Sequence, residues 1–282
     1  MNVLSLCDGM SCGQIALNRI GIIPTTYYAA EIDKYAITAT QHNYPDTIQL
    51  GDINNWRDWD IEWSDIDLVL AGAPCQSFSN AGKGGGFTDP RGQLIHRVFE
   101  IIAHIKHANH DMKFLVENVK MKQSHMDVIS SGLGVNPVEA CSSLVSAQLR
   151  KRNYWCNWGF NQPEDKGLIL GDIIMDGHVD RGKSYCIDAN YHKGTNLAQY
   201  RDKGRRQIVY TDNVSLHGKV KTHVDGNGGA HYRKLTPIEC AKLQTVPLDY
   251  LDVPGISNTQ KYKMLGNGWT IDMITHILKA GL

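Results

Sequence analysis

No C-x-x-C pair occurs in the 282 residues, and the seven cysteines (Cys7, Cys12, Cys75, Cys141, Cys156, Cys186 and Cys240) show no tight spacing. Structural zinc sites need such pairs, so no metal is expected. An odd, dispersed set also argues against a disulfide framework, and reduced thiols are expected. No apolar run approaches the roughly 18 residues of a membrane-spanning helix. Strand-like patterning begins at Val3, leaving no room for a signal peptide, so a cytoplasmic protein without a membrane partner is expected. The first glycine-bearing turn lacks the G-x-G-x-x-G order, which removes the usual signature of a nicotinamide oxidoreductase. Net charge is also lacking, with 29 basic and 29 acidic residues. The balance is uneven, however. Residues 1–140 hold 10 basic and 16 acidic residues, whereas 178–234 hold 11 basic, 5 acidic and five histidines. A basic second half suits a polyanionic partner, though a solvated surface would read the same way.

What is present is an alternation of short apolar runs and helical patterns, the mark of a doubly wound α/β domain with a mostly parallel sheet. Strands are predicted at Val3–Leu6, Thr26–Ala30, Thr47–Leu50, Leu68–Ala71 and Phe114–Val116, the last ending at Glu117. Helices are predicted at Gln14–Ile20, Lys34–His42 and Gly92–His107, the last with Leu94, Val98, Ile101, Ile102 and Ile105 at helical spacing. Residues 138–158 read as a hairpin broken near Lys151. From about Gly159 the chain becomes rich in Gly, Asn, Asp, Lys and Tyr, which suggests a small irregular lobe. Thr236, Pro237 and Glu239 have the spacing of a capping box with proline at the first helical position, and a last helix is predicted over Thr270–Leu278. Three segments are therefore expected: 1–158, 159–232 and 233–282, the last returning to the first.

Ligands of doubly wound sheets bind where strands end. The turn Asp8-Gly9-Met10 follows the first strand, Glu31 and Ile32 the second, and Asp52 and Ile53 the third. Glu31 can accept from ribose hydroxyls and Asp52 from an adenine amino group, although either acid alone would pass as a cap or turn residue. Ala73-Pro74-Cys75-Gln76 closes the fourth strand and opens a glycine-rich stretch reaching Gly86, an arrangement suited to a nucleophile beneath a movable loop. Taken alone, such a cysteine would read as a small buried residue. Glu117 after the fifth strand could reach a base held beside Cys75. Arg150 and Arg152 alternate, so they share a face if extended.

These landmarks, followed by Asp89-Pro90-Arg91-Gly92, Glu117-Asn118-Val119, Gln148 to Arg152, Arg233 to Cys240 and Gly266-Asn267, resemble in order and spacing the DNA (cytosine-5) methyltransferases over nearly the whole chain. The resemblance implies S-adenosylmethionine as methyl donor, with S-adenosylhomocysteine as product. It implies Cys75 as nucleophile, Glu117 as partner of cytosine nitrogen 3, and Arg152 on the ring oxygen. It implies donor contacts from Asp8, Gly9, Met10, Glu31, Ile32, Asp52, Ile53, Pro74, Leu94, Asn267 and Trp269. DNA contacts are implied for Gln76, Ser79, Lys83, Arg91, Arg150, Arg205, Arg206 and Arg233, with the lobe 159–232 as the target-recognition domain. It further implies a monomer acting on double-stranded DNA in a bacterial or phage-infected cell, with a cognate restriction endonuclease as a partner where one exists. Three positions depart from the family pattern. Cys7 stands where Phe is usual, Ile32 where Trp is common, and Trp269 where a small apolar residue is common, a feature similar to the eukaryotic de novo subgroup. Trp269 is expected to supply the aromatic surface that Cys7 lacks.

The implied chemistry is coherent. Cytosine carbon 5 is a poor nucleophile until a thiolate adds at carbon 6 while nitrogen 3 takes or shares a proton. The thiolate is the reactive form, and Glu117 must act partly as an acid. The target base must leave the duplex stack, at a cost of a few kcal/mol. A transfer-RNA methyltransferase is the alternative within this chemistry, but the Cys-Phe-Thr signature of those relatives is missing. A catalytically dead DNA-binding homologue would be expected to lack Cys75, Glu117 or Arg152, and all three are present.

Overall fold

The computed structural model describes residues 1–74, 90–211, 223–224 and 231–282, with backbone alone at 90–92 and 223–224. The chain packs as two units, Met1–Ala140 with Lys151–Gln162 and Thr275–Leu282, and Cys141–Arg150 with Pro163–Ile274.

The first unit is built from β1 (Asn2–Leu6), α1 (Cys12–Arg19), β2 (Thr26–Ala30), α2 (Lys34–Asn43), β3 (Ile48–Gln49), β4 (Ile66–Ala71), α3 (Pro90–Ala108), β5 (Lys113–Val119) and α4 (Gln123–Leu133). It continues through β6 (Val138–Cys141), whose last residue belongs to the second unit. After the two-residue β7 (Gln148–Leu149) of that second unit, it resumes with β8 (Lys151–Cys156). The seven-stranded sheet has the order β3-β2-β1-β4-β5-β8-β6. The first five strands run parallel, and β8 pairs antiparallel with β5. This is the doubly wound, mostly parallel sheet that the alternating pattern predicts. Its strand order reverses between β1 and β4, where the chain crosses from one side of β1 to the other.

Burial explains why the central strands read as unbroken apolar runs. Leu4, Leu6, Val69, Phe114 and Val116 face helices on the sheet surface. Val98, Ile101, Ile102 and Ile105 of α3 are buried as their spacing implies, Leu94 is half-buried against the same core, and Ile95 joins the stripe. The proline at the start of α3 costs nothing there, because the first helical amides have no partner inside a helix.

Two elements differ from the sequence expectation. The segment 138–158 is more than a simple hairpin: β6 and β8 are neighbours in the large sheet, as that reading places them, but β7 between them leaves to pair in parallel with β9 (Ser184–Tyr185). A period-2 pattern shows that residues are extended but not which strand they pair with. Strand β5 also runs two residues past Glu117, because β8 supplies partners as far as Val119.

The second unit contains that strand pair, α5 (Leu197–Arg201), a three-stranded sheet, α6 (Pro237–Leu243), α7 (Asn258–Asn267) and the first turn of α8 (Ile271–Gly281). Its sheet has the order β10 (Ile208–Thr211), β12 (His231–Lys234), β11 (His223–Val224), all antiparallel. Of the tail 233–282, only Thr275–Leu282 packs with the first unit, so the division falls elsewhere than composition placed it.

Arg233 is the reason α6 stays with the second unit. Its guanidinium is fully buried and donates to both carboxylate oxygens of Glu239 at 2.8 Å and to Asp176 Oδ1 at 2.8 Å. Glu239 meanwhile completes the predicted capping box. Its Oε2 accepts from Thr236 N at 2.7 Å, and Thr236 Oγ1 accepts from Glu239 N at 3.2 Å. The expectation that Arg233 touches DNA is therefore corrected, because no face of it reaches solvent and all three of its guanidinium nitrogens are engaged inside the unit. Breaking a buried pair by removing one partner strands the other charge. Arg233→Ala is accordingly expected to cost about 3–5 kcal/mol in urea unfolding.

Candidate active site

Four chain segments meet at the carboxyl ends of β3, β2, β1 and β4. Asp8 N donates to Ala30 O at 3.2 Å, and Gly72 N donates to Leu6 O at 3.2 Å, so the turn after β1 lies between the ends of its two neighbours. Leu50 N donates to Ala29 O at 2.8 Å and brings Gly51-Asp52 to the same edge. Gly13, just inside α1, permits the close fit of helix on sheet. A Cβ there would meet Leu70 Cδ1 at 2.5 Å and the Tyr27 hydroxyl at 2.7 Å.

Glu31 is held tightly. Its Oε2 accepts from Gly9 N at 2.7 Å, and its Oε1 accepts from the amides of Ile32 and Asp33, both at 2.8 Å. An ionised carboxylate offers about four lone-pair sites. The backbone takes three of them, leaving one acceptor in a fixed orientation. Asp52 caps a short 3-10 helix (Ile53–Asp58), its Oδ1 accepting from Asn54 N and Nδ2 at 2.9 Å. Both acids, together with Asp8, bear on Cys7. Burial first, and then the carboxylates of Glu31, Asp52 and Asp8, push its thiol up to about 12, so it is an inert thiol. Cys7 and Ser11 both adopt left-handed backbone geometry, with φ of 55° and 59°. The turn thus carries strain in two non-glycine residues next to the crevice.

In sequence Asp8 is a turn residue with an implied donor contact, and nothing marks Tyr27. The Tyr27 hydroxyl donates to Asp8 Oδ1 at 2.9 Å, while Asp8 Oδ2 is buried without a hydrogen-bond partner among the described residues. Burial pushes the Asp8 carboxyl up to about 6, against the opposing pull of hydroxyls from Ser5, Tyr27 and Ser11. Nothing in the period-2 pattern of β2 distinguishes Tyr27 from a core tyrosine, so only the register could reveal it.

The remaining first-unit candidates lie along the same edge or beneath it. Met10 and Ile53 are buried, Pro74 and Leu94 are half-buried, and Ile32 is 71% exposed. Ile32 therefore presents apolar surface where the family often places Trp. Asn267 and Trp269 belong to the second unit, Asn267 as the last residue of α7 and Trp269 between α7 and α8, with Asn267 exposed and Trp269 buried. Cys75, Gln76, Ser79 and Lys83 lie outside the described residues, as does the side chain of Arg91.

One strand further along the edge, Arg152 Nε meets Glu117 Oε1 at 2.9 Å, with both side chains mostly buried. The antiparallel register of β5 and β8 brings them together. Glu117 faces Tyr154 and Val119 faces Arg152, which puts the two residues on a diagonal. Asn118 ties this strand end to the next. Its Nδ2 donates to Ala73 O at 3.4 Å, and its Oδ1 accepts from Val119 N at 2.8 Å.

Arg150 does not share the role of Arg152, and its expected DNA contact is corrected. It is 3% exposed and donates to Ile187 O at 3.1 Å and Gly268 O at 2.7 Å. The chain between β7 and β8 passes from one unit to the other, which separates two side chains that a continuous strand would have aligned. In the second unit, Lys183 Nζ is taken up by Ser143 O at 2.6 Å and Ser146 O at 3.2 Å, and Arg181 lies over the Tyr185 ring. Arg206, at φ 60°, donates to Gly194 O at 3.0 Å, and its half-buried neighbour Arg205 precedes it.

A doubly wound sheet with an acid-lined crevice at its switch point, next to a carboxylate–guanidinium pair, defines a methyltransferase-class α/β enzyme. The family model for C-5 cytosine-specific DNA methylase matches residues 1–130 and 146–281. The chain belongs to that family and is a DNA (cytosine-5) methyltransferase. It is 30% identical over 292 residues to Type II methyltransferase M.NlaX of Neisseria lactamica, covering 90% of this chain and 88% of that one. It is 26% identical to Type II methyltransferase M.Bsp6I of Bacillus sp. (strain RFL6), covering 98% and 97%. In fold it is similar to the Entamoeba histolytica methyltransferase EhMeth, with TM-score 0.74, 15% identity, and 99% and 97% of the two chains covered. A mutant of Spodoptera frugiperda DNMT2 aligns with TM-score 0.67 at 21% identity, covering 99% and 98%. Among the described residues, no helix is long and apolar enough to cross a membrane.

The raised carboxyl of Asp8 has a consequence for stability. Between about pH 4 and 6 the folded protein holds a proton that the unfolded chain has lost. Stability from this group is complete below about pH 4 and is lost as pH rises through about 6. Asp8→Asn is expected to flatten that decline. Urea unfolding of both proteins at intervals from pH 4 to 7 checks it, and parallel curves would contradict it.

Proposed function

We propose that the chain methylates carbon 5 of a flipped cytosine within a short double-stranded DNA sequence, through a transient bond from Cys75, with S-adenosylmethionine as donor. The observation that carries this reading is the Glu117–Arg152 pair, held at 2.9 Å at the end of the strand next to the one that leads into Pro74-Cys75. A carboxylate and a guanidinium presented together match the nitrogen 3 and oxygen 2 edge of cytosine. Arg152 orients Glu117 and keeps one side of it occupied, while Glu117 holds or gives the proton that makes the ring accept a thiolate at carbon 6. Asn118 holds this strand end against Ala73, just ahead of the nucleophile.

The acid-lined crevice suits the donor. Glu31 keeps one oriented lone pair, and among the described residues Asp52 Oδ2 takes no hydrogen bond and the buried Asp8 Oδ2 has no hydrogen-bond partner. A ligand with ribose hydroxyls, amino groups and positive charge would satisfy them. When bound, the donor supplies an electrophilic methyl group. Glu31 would take its ribose and Asp52 its adenine amino group, with Gly9, Met10, Ile32, Ile53, Pro74 and Leu94 completing the walls; the resemblance implies further donor contacts for Asn267 and Trp269.

Gln76, Ser79, Lys83 and Arg91 would close over the extruded base, and Arg205 and Arg206 would meet the duplex from the recognition lobe. The two relatives named as Type II methyltransferases favour a short DNA target and a cognate restriction endonuclease as partner. Cys75→Ser is expected to bind DNA but transfer no methyl group, and Glu117→Gln to lose about 10²–10⁴-fold in kcat. Methyl transfer from labelled donor, with bisulfite sequencing of DNA from an expressing host, tests both the activity and the site. A fully active Cys75→Ser enzyme would sink the mechanism.

A further inference from the structure

The crevice of the first unit rests on a buried tether that the chemistry above does not use. Tyr27, in β2, is buried, and its hydroxyl donates to Asp8 Oδ1 at 2.9 Å. Space for that hydroxyl exists because residue 13 is glycine, since a Cβ there would sit 2.7 Å from it. Asp8 is also held through its backbone. Its amide donates to Ala30 O at 3.2 Å, and its carbonyl accepts from Ser11 N at 3.2 Å. The next amide, that of Gly9, donates to Glu31 Oε2 at 2.7 Å. Tyr27, Asp8, Gly9 and Glu31 therefore form one chain of contacts. It runs from the sheet interior to the carboxylate that keeps one oriented acceptor for a ligand.

A second tether holds the far end of the turn. Gln14 is buried, and its Nε2 donates to Ser11 Oγ at 2.9 Å and to Thr47 Oγ1 at 2.8 Å. The backbone between the two tethers needs them. Cys7, Gly9 and Ser11 have φ of 55°, 61° and 59°, and only the middle one is glycine. Left-handed geometry at Cys7 and Ser11 persists only where the surrounding contacts impose it. A hydroxyl that donates to an ionised carboxylate makes a bond roughly twice as strong as one between neutral groups. All of these residues lie in the first unit.

We propose that Tyr27 is a positioning residue for methyl-donor binding, acting through Asp8 to hold the Cys7–Ser11 turn, and with it the Glu31 carboxylate, in the orientation the methyl donor meets. This rests on the reading above that the turn and Glu31 meet that donor. Tyr27 is buried, so its effect runs through Asp8. A turn and a carboxylate already in place lose less freedom when the ligand arrives, so the effect falls on affinity for it. Tyr27→Phe keeps the ring in the core and removes only the hydroxyl.

The test uses the full-length protein. S-adenosylmethionine affinity is measured by calorimetry, together with DNA affinity in the absence of that donor and kcat at saturating donor. Tyr27→Phe is expected to weaken donor binding by about tenfold, with DNA affinity and kcat within roughly threefold of wild type. Asp8→Asn keeps an acceptor for the Tyr27 hydroxyl and Asp8→Ala removes it. Asp8→Ala is therefore expected to bind the donor about tenfold more weakly than Asp8→Asn. If Tyr27→Phe fails to fold, that pair decides, and equal affinities in the two would overturn the inference. Donor affinity unchanged in folded Tyr27→Phe, while Glu31→Ala weakens it, would overturn the inference alone. Donor and DNA affinity falling together would mark a merely structural residue and also overturn it. If Glu31→Ala leaves donor affinity unchanged, the reading of the crevice fails and the inference goes with it.

Discussion

Strands β2 and β4 flank β1 on opposite sides, and the chain after each must cross back over opposite faces of the sheet. The turns that leave β1 and β4 therefore diverge, and a crevice opens at their carboxyl ends. The rest of the first unit depends on this constraint. The turn Cys7–Ser11 bends through two left-handed non-glycine residues to stay in the crevice, and Glu31 spends three of its acceptor sites on backbone amides around it. The Asp8 carboxylate is buried there at the cost of a raised pKa. Strain and unsatisfied polarity concentrate at this crevice, and the packed helices on the two faces offset them.

The antiparallel strand β8 extends that edge. Were it parallel to β5, the diagonal that joins Arg152 to Glu117 would not form in this register. Reversal also places the end of β5 beside the start of β8, so the paired carboxylate and guanidinium come from two strands and lie 35 residues apart in the chain. Asn118 then links the pair to the strand that precedes Cys75. The second unit uses a different device, fully buried charge and amide groups. Arg233 binds Glu239 and Asp176, and Gln244 binds the α7–α8 loop. Both tie α6 to segments far away in sequence, so one short helix organises much of that unit.

Legibility in the sequence followed from how local each cause is. The capping box at Thr236 and Glu239 was readable because its atoms lie within three residues of one another. The stripe on α3 was readable because burial of one helix face imposes its own period. The crevice acids were readable because they follow apolar runs directly. Arg150, Arg233, Lys183 and Tyr27 were not. A basic residue looks the same in sequence whether it faces phosphate or a buried carbonyl, and a tyrosine gives no sign that its hydroxyl reaches a carboxylate one strand away.

The sequence by itself therefore determined the class of fold, the order of the landmarks and the kind of chemistry, since these depend on local propensity, hydrophobic period and residue type. Tertiary structure alone decided which strands pair, which arginines are buried, and which carboxylate receives a counter-charge. Those outcomes depend on groups dozens of residues apart being brought within about 3 Å, the range over which hydrogen bonds act. No local pattern encodes that distance.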